Sequence, residues 1–470
     1  MPKTQPRTLQ ISVIENTQGC SLHRLFEKVE SSPWSILYDT SDSTESNGRF
    51  NIMVWDPIST ITARNGITTV TDKKSGEQTQ WADPPLELVK QQHQKLIADV
   101  SLPTESGSLA SQLPFLIGAA GLLSYDLGRY YESIPATAED QYLCPDMAVG
   151  IYQRALIEDA HTGTLYDCRL DSEPAFCVES WIQNTTPNAG HFQLTANWQS
   201  NFDKCAYLAA LDKIHQYLKA GDAYQVNLAQ RFTATYEGSE WHAYTRLQAA
   251  NKAPFSAFMR LEKSCIMSIS PERFLAVRDG YVETKPIKGT RPRYADPSMD
   301  SQSAQELLNS EKDRAENLMI VDLLRNDLSK HCRPHSVKVP NLFEVESYAA
   351  VHHLVSTVVG ELGANESPLD LIAGAFPGGS ITGAPKVRAM EIIEELEPHR
   401  RSLYCGSMMY LGFKNDMDSS ICIRSLLAER GQLHCWAGGG IVLDSQPDSE
   451  YQETFDKVAR ILPVLEGTFE

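Results

Sequence analysis

Through roughly the first 180 residues, apolar and polar positions alternate in short runs, each closed by turn-forming residues. SILYDT at 35–40, FNIMVWD at 50–56, ITTVTD at 67–72 and MAVGIYQRALIED at 147–159 are predicted strands on that pattern and on their β-branched content. LELVKQQHQKLIADV (86–100) instead repeats its apolar residues at helical spacing. Residues 113–123 form the longest apolar run, too short and too rich in Gly and Ala to span a bilayer, so a buried strand is predicted. The polar patch NTTPNAGHFQ (184–193) marks a boundary between regions 1–190 and 191–470, which need not divide two independent cores.

Beyond it, Tyr207, Leu208, Leu211, Ile214 and Leu218 recur at helical spacing, with Gly221 as the C-cap. AYQVNLAQRF alternates as a strand, and SAFMRLEKS and CIMSIS follow as two more. A long helix is predicted over 311–330, another in KVRAMEIIEELE ended by Pro398, and a last one from about Ser449. Strands outnumber helices and the order is mixed, which predicts an α+β fold rather than an alternating parallel sheet.

Composition narrows the function classes. The 470 residues are 42% hydrophobic and 22% charged, an ordinary soluble balance. A formal net charge of −18 and the absence of a basic face argue against a nucleic-acid partner. An anionic substrate must therefore be met by a metal ion or a few placed cations. The ten cysteines are scattered with no CxxC pair, which predicts reduced thiols in a cytoplasmic protein, and MPKTQPRTLQ lacks the apolar core of a signal peptide.

Several residues could carry chemistry. Asp313 with Glu316, and Glu450 with Glu453, are acid pairs at i, i+3, each on one face of a predicted helix. Hard oxygens from two helices suit Mg²⁺; first-turn electrostatics, with Ser449 and Gln452 as a capping box, is the plainer use. GGSITGAPK (378–386) lacks the spacing of a nucleotide phosphate loop, yet its flexible backbone still offers N–H groups to an anion such as a carboxylate. Gly438, Gly439 and Gly440 allow either close backbone approach to a ligand or a tight turn. His352 and His353, in an apolar stretch, are core residues or an acid–base group. Glu272 in SISPERF is placed to begin a helix behind Ser270 and Pro271. Arg424 in ICIRSLL, read as a strand buried on both faces, requires a carboxylate from protein or substrate. In YVETKPIKGTRPR (281–293), Lys288 is one charge among Lys285, Arg291 and Arg293 in a solvated loop, or it is a nucleophile.

SPERF, PIKGT, KDRAENLMIVDLLRND, HLVS, PGGSITGAPKVRAMEIIEELEP, YCGSMMYLGF, ICIRSL, AGGGIVLDS and SEYQETFDKV occur in an order and spacing that resembles the chorismate-utilising enzymes. The likeness is dense over about 200–465 and weaker through PWSILYDT and GAAGLLSYDLGRYYE. It implies that family's fold, a large mixed β-sheet sandwich with helices on the outside. It also implies that Lys288 stands where the anthranilate- and isochorismate-forming members have alanine, as in the members that form aminodeoxychorismate. In those, the lysine amine adds at C2 of chorismate while the C4 hydroxyl departs. Ammonia then attacks C4 and expels the lysine, giving 4-amino-4-deoxychorismate, a precursor of p-aminobenzoate and folate.

By the same resemblance, Glu316 and Glu453 would hold Mg²⁺, with Asp313 and Glu450 in its outer shell. Glu272 would be the general acid and His353 the active-site histidine; Thr290, Tyr410, Arg424, Lys457 and Gly438 to Gly440 would bind substrate. Arg291 and Arg293 are the cations expected to depress the Lys288 pKa. Cys405 in LYCGS is not a glutaminase nucleophile elbow, so a separate glutaminase subunit is the implied source of ammonia. PWSILYDT falls where anthranilate synthases bind tryptophan, which makes bound tryptophan a further expectation. Anthranilate, isochorismate or salicylate formation, or noncatalytic binding on the same scaffold, are the alternatives; Lys288 and the retained acids stand against them.

Overall fold

The computed structural model describes residues 7–15, 19–40, 48–183, 190–348 and 351–467, so most of the 184–193 patch lies outside the described residues. Two sheets, of 14 and 12 strands among those residues, face each other across an apolar interior. Both draw strands from either side of residue 190. In the larger sheet Ile36–Asp39 pairs with Phe255–Arg260, and in the smaller Gly118–Leu123 pairs with Ser407–Gly412. Ile36, Ile61, Leu122, Met259, Phe274, Val358 and Met409 belong to one buried cluster, so the two regions share a core. This is the α+β sandwich with helices outside that the sequence predicts.

Burial on both faces explains where the pattern misled. MAVGIYQRALIED is two strands: Met147–Tyr152 joins the smaller sheet beside Gly118–Leu123, and Arg154–Asp159 the larger beside Phe50–Val54. The chain crosses between sheets at Gln153, and a continuous apolar run hides the crossing because both halves are buried. In 113–123 only Gly118–Leu123 is strand.

The outer helices follow their apolar stripes. Tyr207, Leu211 and Ile214 of Lys204–Ala220, with Ile392 and Ile393 of Lys386–Leu396, cover Val226, Leu228 and Ile441 of the larger sheet. Gly221 closes the first helix at φ +81°, as its sequence position predicts. Glu311–Ser329, capped by Ser310 through the Asp313 N–H, lies across strand Val351–Glu361. Pro447–Val458 begins two residues earlier than expected, with Gln446 as N-cap, so Ser449 lies inside the first turn and forms no capping box.

Candidate active site

The segment that carries Lys288 is not a surface loop. Ile287–Pro292 is a strand paired with Val351–Glu361, and the register gains one residue between Ile287 and Thr290. At this bulge Gly289 has φ +81°, and a Cβ there would lie 2.8 Å from Asp313 Cγ and 2.9 Å from Leu307 Cδ1. No other residue fits both the conformation and the space. The bulge aims Lys288 inward, where its Nζ donates to the main-chain oxygen of Ser380 at 3.3 Å.

Glu272 meets the same turn from a link between the two sheets. It lies between strands Cys265–Ser270 and Arg273–Arg278 rather than at a helix start, because Ser270 caps its N–H within the strand link. The Ser380 hydroxyl donates to Glu272 Oε1 at 3.1 Å. Burial pushes the Glu272 carboxyl up to about 7, against the pull of Lys288, Ser380, Lys457 and Arg424. Burial likewise lowers the Lys288 pKa; Glu316 and Glu272 oppose the shift and Lys457 adds to it. The cation beside Lys288 is thus Lys457, a correction to the expected arginines. Arg291 pairs with Asp313 at 3.2 Å, and Arg293 turns out to Asp300 at 2.8 Å.

The two acid-bearing helices converge on this spot. Lys312 Nζ is 3.9 Å from Glu316 and 3.8 Å from Glu450, tying one helix to the other. Lys457 Nζ bonds Glu453 at 2.7 Å and the Gly438 carbonyl at 2.7 Å. Burial and the neighbouring Asp313 and Glu450 raise the Glu316 pKa, whereas at Glu453 burial is outweighed by Lys457, Lys312 and Lys288 together, which hold that carboxyl low. Among the described residues no three His, Cys, Asp or Glu side chains converge tightly enough to form a metal cage. The donor set still fits Mg²⁺, which takes hard oxygens from one or two carboxylates and fills its octahedron with water and anionic substrate.

Glycines make room for this meeting. A Cβ on Gly439 would stand 3.1 Å from Glu450 Oε2 and 3.5 Å from Glu453 Oε1. Gly438 to Gly440 lie within strand Gln432–Ile441, not in a turn. Opposite them, the N–H groups of Asn227 and Ala229 go to Thr382 and Glu397, away from this strand. By antiparallel alternation the main-chain groups of Gly440 and Gly438 also point away from that pair, toward the Lys457 side.

Arg424 is not in a strand; it links Met417–Ile421 to Ser425–Glu429 at φ +52°. Its guanidinium makes no hydrogen bond or ion pair among the described residues, yet it acts on both Glu272 and His353. His353 Nδ1 shares a hydrogen with Thr290 Oγ1 at 2.9 Å, and burial followed by Arg424 drives its pKa down to about 4, leaving a neutral ring at pH 7.

The chorismate binding enzyme family matches residues 35–463. The chain belongs to this family. Among its relatives, aminodeoxychorismate synthase component 1 of Klebsiella aerogenes is 51% identical over 94% of this chain and 96% of its own. That of Escherichia coli K12 is 50% identical over 94% and 95%, and anthranilate synthase component 1 of Thermus thermophilus is 34% identical over 93% of each. The crystal structure of anthranilate synthase component I from Streptococcus pneumoniae superposes with TM-score 0.76 at 29% identity, covering 88% of this chain and 92% of that one.

Two further features of this chorismate-binding enzyme depart from the sequence reading. Tyr410 is not brought to Lys288. It faces a separate cavity of about 410 Å³, packed edge-on against Tyr38 and Phe115, because alternation along Ser407–Gly412 points it to the side where Ile36–Asp39 lies. Tyr38, Asp39 and Thr40 of PWSILYDT line that cavity, with Phe50, Phe255, Arg273 and Asp418. Conversely, Ser380 and Lys312 were not singled out in sequence. Ser380 sits in the glycine-rich segment that was flagged, whereas Lys312 resembles any helix-surface lysine. No described helix is long and apolar enough to cross a membrane.

Proposed function

We propose that this enzyme replaces the C4 hydroxyl of chorismate with an amino group, giving 4-amino-4-deoxychorismate for p-aminobenzoate and folate synthesis. The observation that carries the reading is Lys288, a buried amine of lowered proton affinity that shares one turn with a carboxyl poised to be protonated. The relatives named aminodeoxychorismate synthase component 1 support it.

The neutral Lys288 amine adds to C2, and both ring double bonds shift toward C4. The C4–O bond breaks, the hydroxyl leaving as water with the proton of Glu272. Ammonia then forms the C4–N bond, both double bonds shift back, and the C2–N bond breaks with its electrons returning to Lys288. The new C4 ammonium returns a proton to Glu272. Arg424, the outward main chain of Gly438 and Gly440, and Thr290 beside neutral His353 hold the substrate's carboxylates and ring. Glu316 and Glu453 would hold Mg²⁺, with Glu450 and Asp313 behind them. When bound, the ion neutralises the ring carboxylate and fixes the ring's orientation.

Ammonia would come from a separate glutaminase subunit, consistent with relatives named "component 1". The Tyr38–Tyr410 cavity, aromatic with Arg273 and Asp418 at its wall, is where an aromatic amino acid such as tryptophan would sit. Incubation with chorismate, Mg²⁺ and ammonium, read by mass spectrometry of the product, should yield aminodeoxychorismate. Anthranilate, isochorismate or salicylate in its place would overturn the assignment.

A further inference from the structure

Ser380 touches both proposed reacting groups. Its hydroxyl donates to Glu272 and its main-chain oxygen accepts from Lys288. The turn that presents it, Gly379–Ile381, is fastened on several sides. The Ile381 oxygen accepts from Arg401 at 3.0 Å, and the Thr382 oxygen from Asn227 N–H at 2.8 Å. Thr382 Oγ1 bonds back to the Gly378 oxygen at 3.0 Å. A Cβ on Gly379 would strike Leu323 Cδ2 at 2.0 Å, so the turn lies flush against the helix that carries Glu316. Arg401 is itself buried and paired with Glu397 at 2.7 Å, which prevents the anchor from swinging away. With Ile381 and Thr382 so engaged, the Ser380 oxygen is the one that faces Lys288.

We infer that Ser380 is a positioning residue: it holds the Lys288 amine and the Glu272 carboxyl to one rigid turn, so that nucleophile and acid keep a fixed separation through the reaction. This rests on the roles proposed above for those two residues. The groups facing Glu272 are Lys288, Lys457, Arg424 and Cys405, and those facing Lys288 are Glu316, Glu272, Glu453 and Lys457. Among the described residues, the turn's hydrogen bond to Glu272 comes from the Ser380 hydroxyl, so trimming that hydroxyl removes it.

The test compares Ser380→Ala and Ser380→Thr with the wild-type chain, using chorismate, ammonium and Mg²⁺. Ser380→Ala should lower kcat roughly ten- to a hundredfold, the cost of a small misplacement, while KM for chorismate stays within about twofold. The alkaline limb of its pH profile should move upward, because the carboxylate has lost a donor. Ser380→Thr, which keeps the hydroxyl, should recover most of the rate and the original limb. A second readout needs no substrate. With Glu272 more fully protonated, Lys288 loses a counter-charge, so cyanate should carbamylate Lys288 several-fold faster at pH 7 in Ser380→Ala, measured on the peptide by mass. That result is read the same way whichever product the enzyme makes, so it separates this inference from the assignment of C4 amination. Unchanged kcat and labelling in Ser380→Ala, a rise in KM alone, or a threonine variant as impaired as the alanine one, would each overturn it.

Discussion

Lys288→Ala should lose C4 amination, with kcat falling about a thousandfold or more, the scale seen when a covalent nucleophile is removed. The side chain supplies the amine itself, and no neighbour can substitute: Lys457 is engaged by Glu453 and Gly438, and Lys312 by Glu316 and Glu450. Lys288→Arg should be equally inactive, since a guanidinium stays charged and has no lone pair to give. Residual turnover in the alanine variant should carry nitrogen at C2, because the shortened side chain opens that carbon to ammonia. Thermal melting checks that the fold is kept, and product analysis by mass spectrometry decides the outcome. Wild-type rates of aminodeoxychorismate formation from Lys288→Ala would refute nucleophilic catalysis.

Glu272→Gln should cost about 10²- to 10⁴-fold in kcat, the range for a general acid. Its pH dependence follows from the site. Glu272 must hold its proton, which it does below about 7, while Lys288 must be free amine, which its lowered pKa favours as pH rises. The two are coupled, so the wild-type profile should be a bell whose limbs belong to the pair. Glutamine should erase the alkaline limb. Stability gives an independent check on the sign. The folded-state pKa of Glu272 is raised from 4.5 to about 7, so its contribution is fully present below about 4.5 and lost as pH rises through 7. Glu272→Gln should therefore melt higher than wild type at pH 8 and alike at pH 4. A lower melting temperature at pH 8 would contradict the burial argument.

The acids were legible because i, i+3 spacing on a helix fixes a shared face, and Glu316 and Glu453 do reach one site. That Lys312 bridges Glu316 to Glu450 was not legible, since it depends on how two helices far apart in sequence meet. Lys288 could be marked as a possible nucleophile, but its inward aim comes from a bulge at Gly289 that only pairing with Val351–Glu361 reveals. Tyr410 shows the converse failure: period-2 alternation gives two faces, and the sequence does not say which one meets substrate. Arg424 was placed in a strand because its neighbours are apolar, whereas its φ of +52° breaks the strand there. Arg291 and Arg293 are near the site in sequence, but Asp313 and Asp300 take them; burial lowers the Lys288 pKa instead, with Lys457 adding to it from the far end of the chain.

In the proposed reaction Lys288 bonds covalently to the substrate. Mixing the enzyme with chorismate and Mg²⁺ in the absence of ammonia, then trapping with acid and mapping peptides by mass, tests it directly. The expected result is an adduct on Lys288 weighing one chorismate less one water, absent from Lys288→Ala and discharged as aminodeoxychorismate when ammonium is added before the quench. An enzyme that makes aminodeoxychorismate at full rate while no such adduct forms on Lys288 would contradict the account.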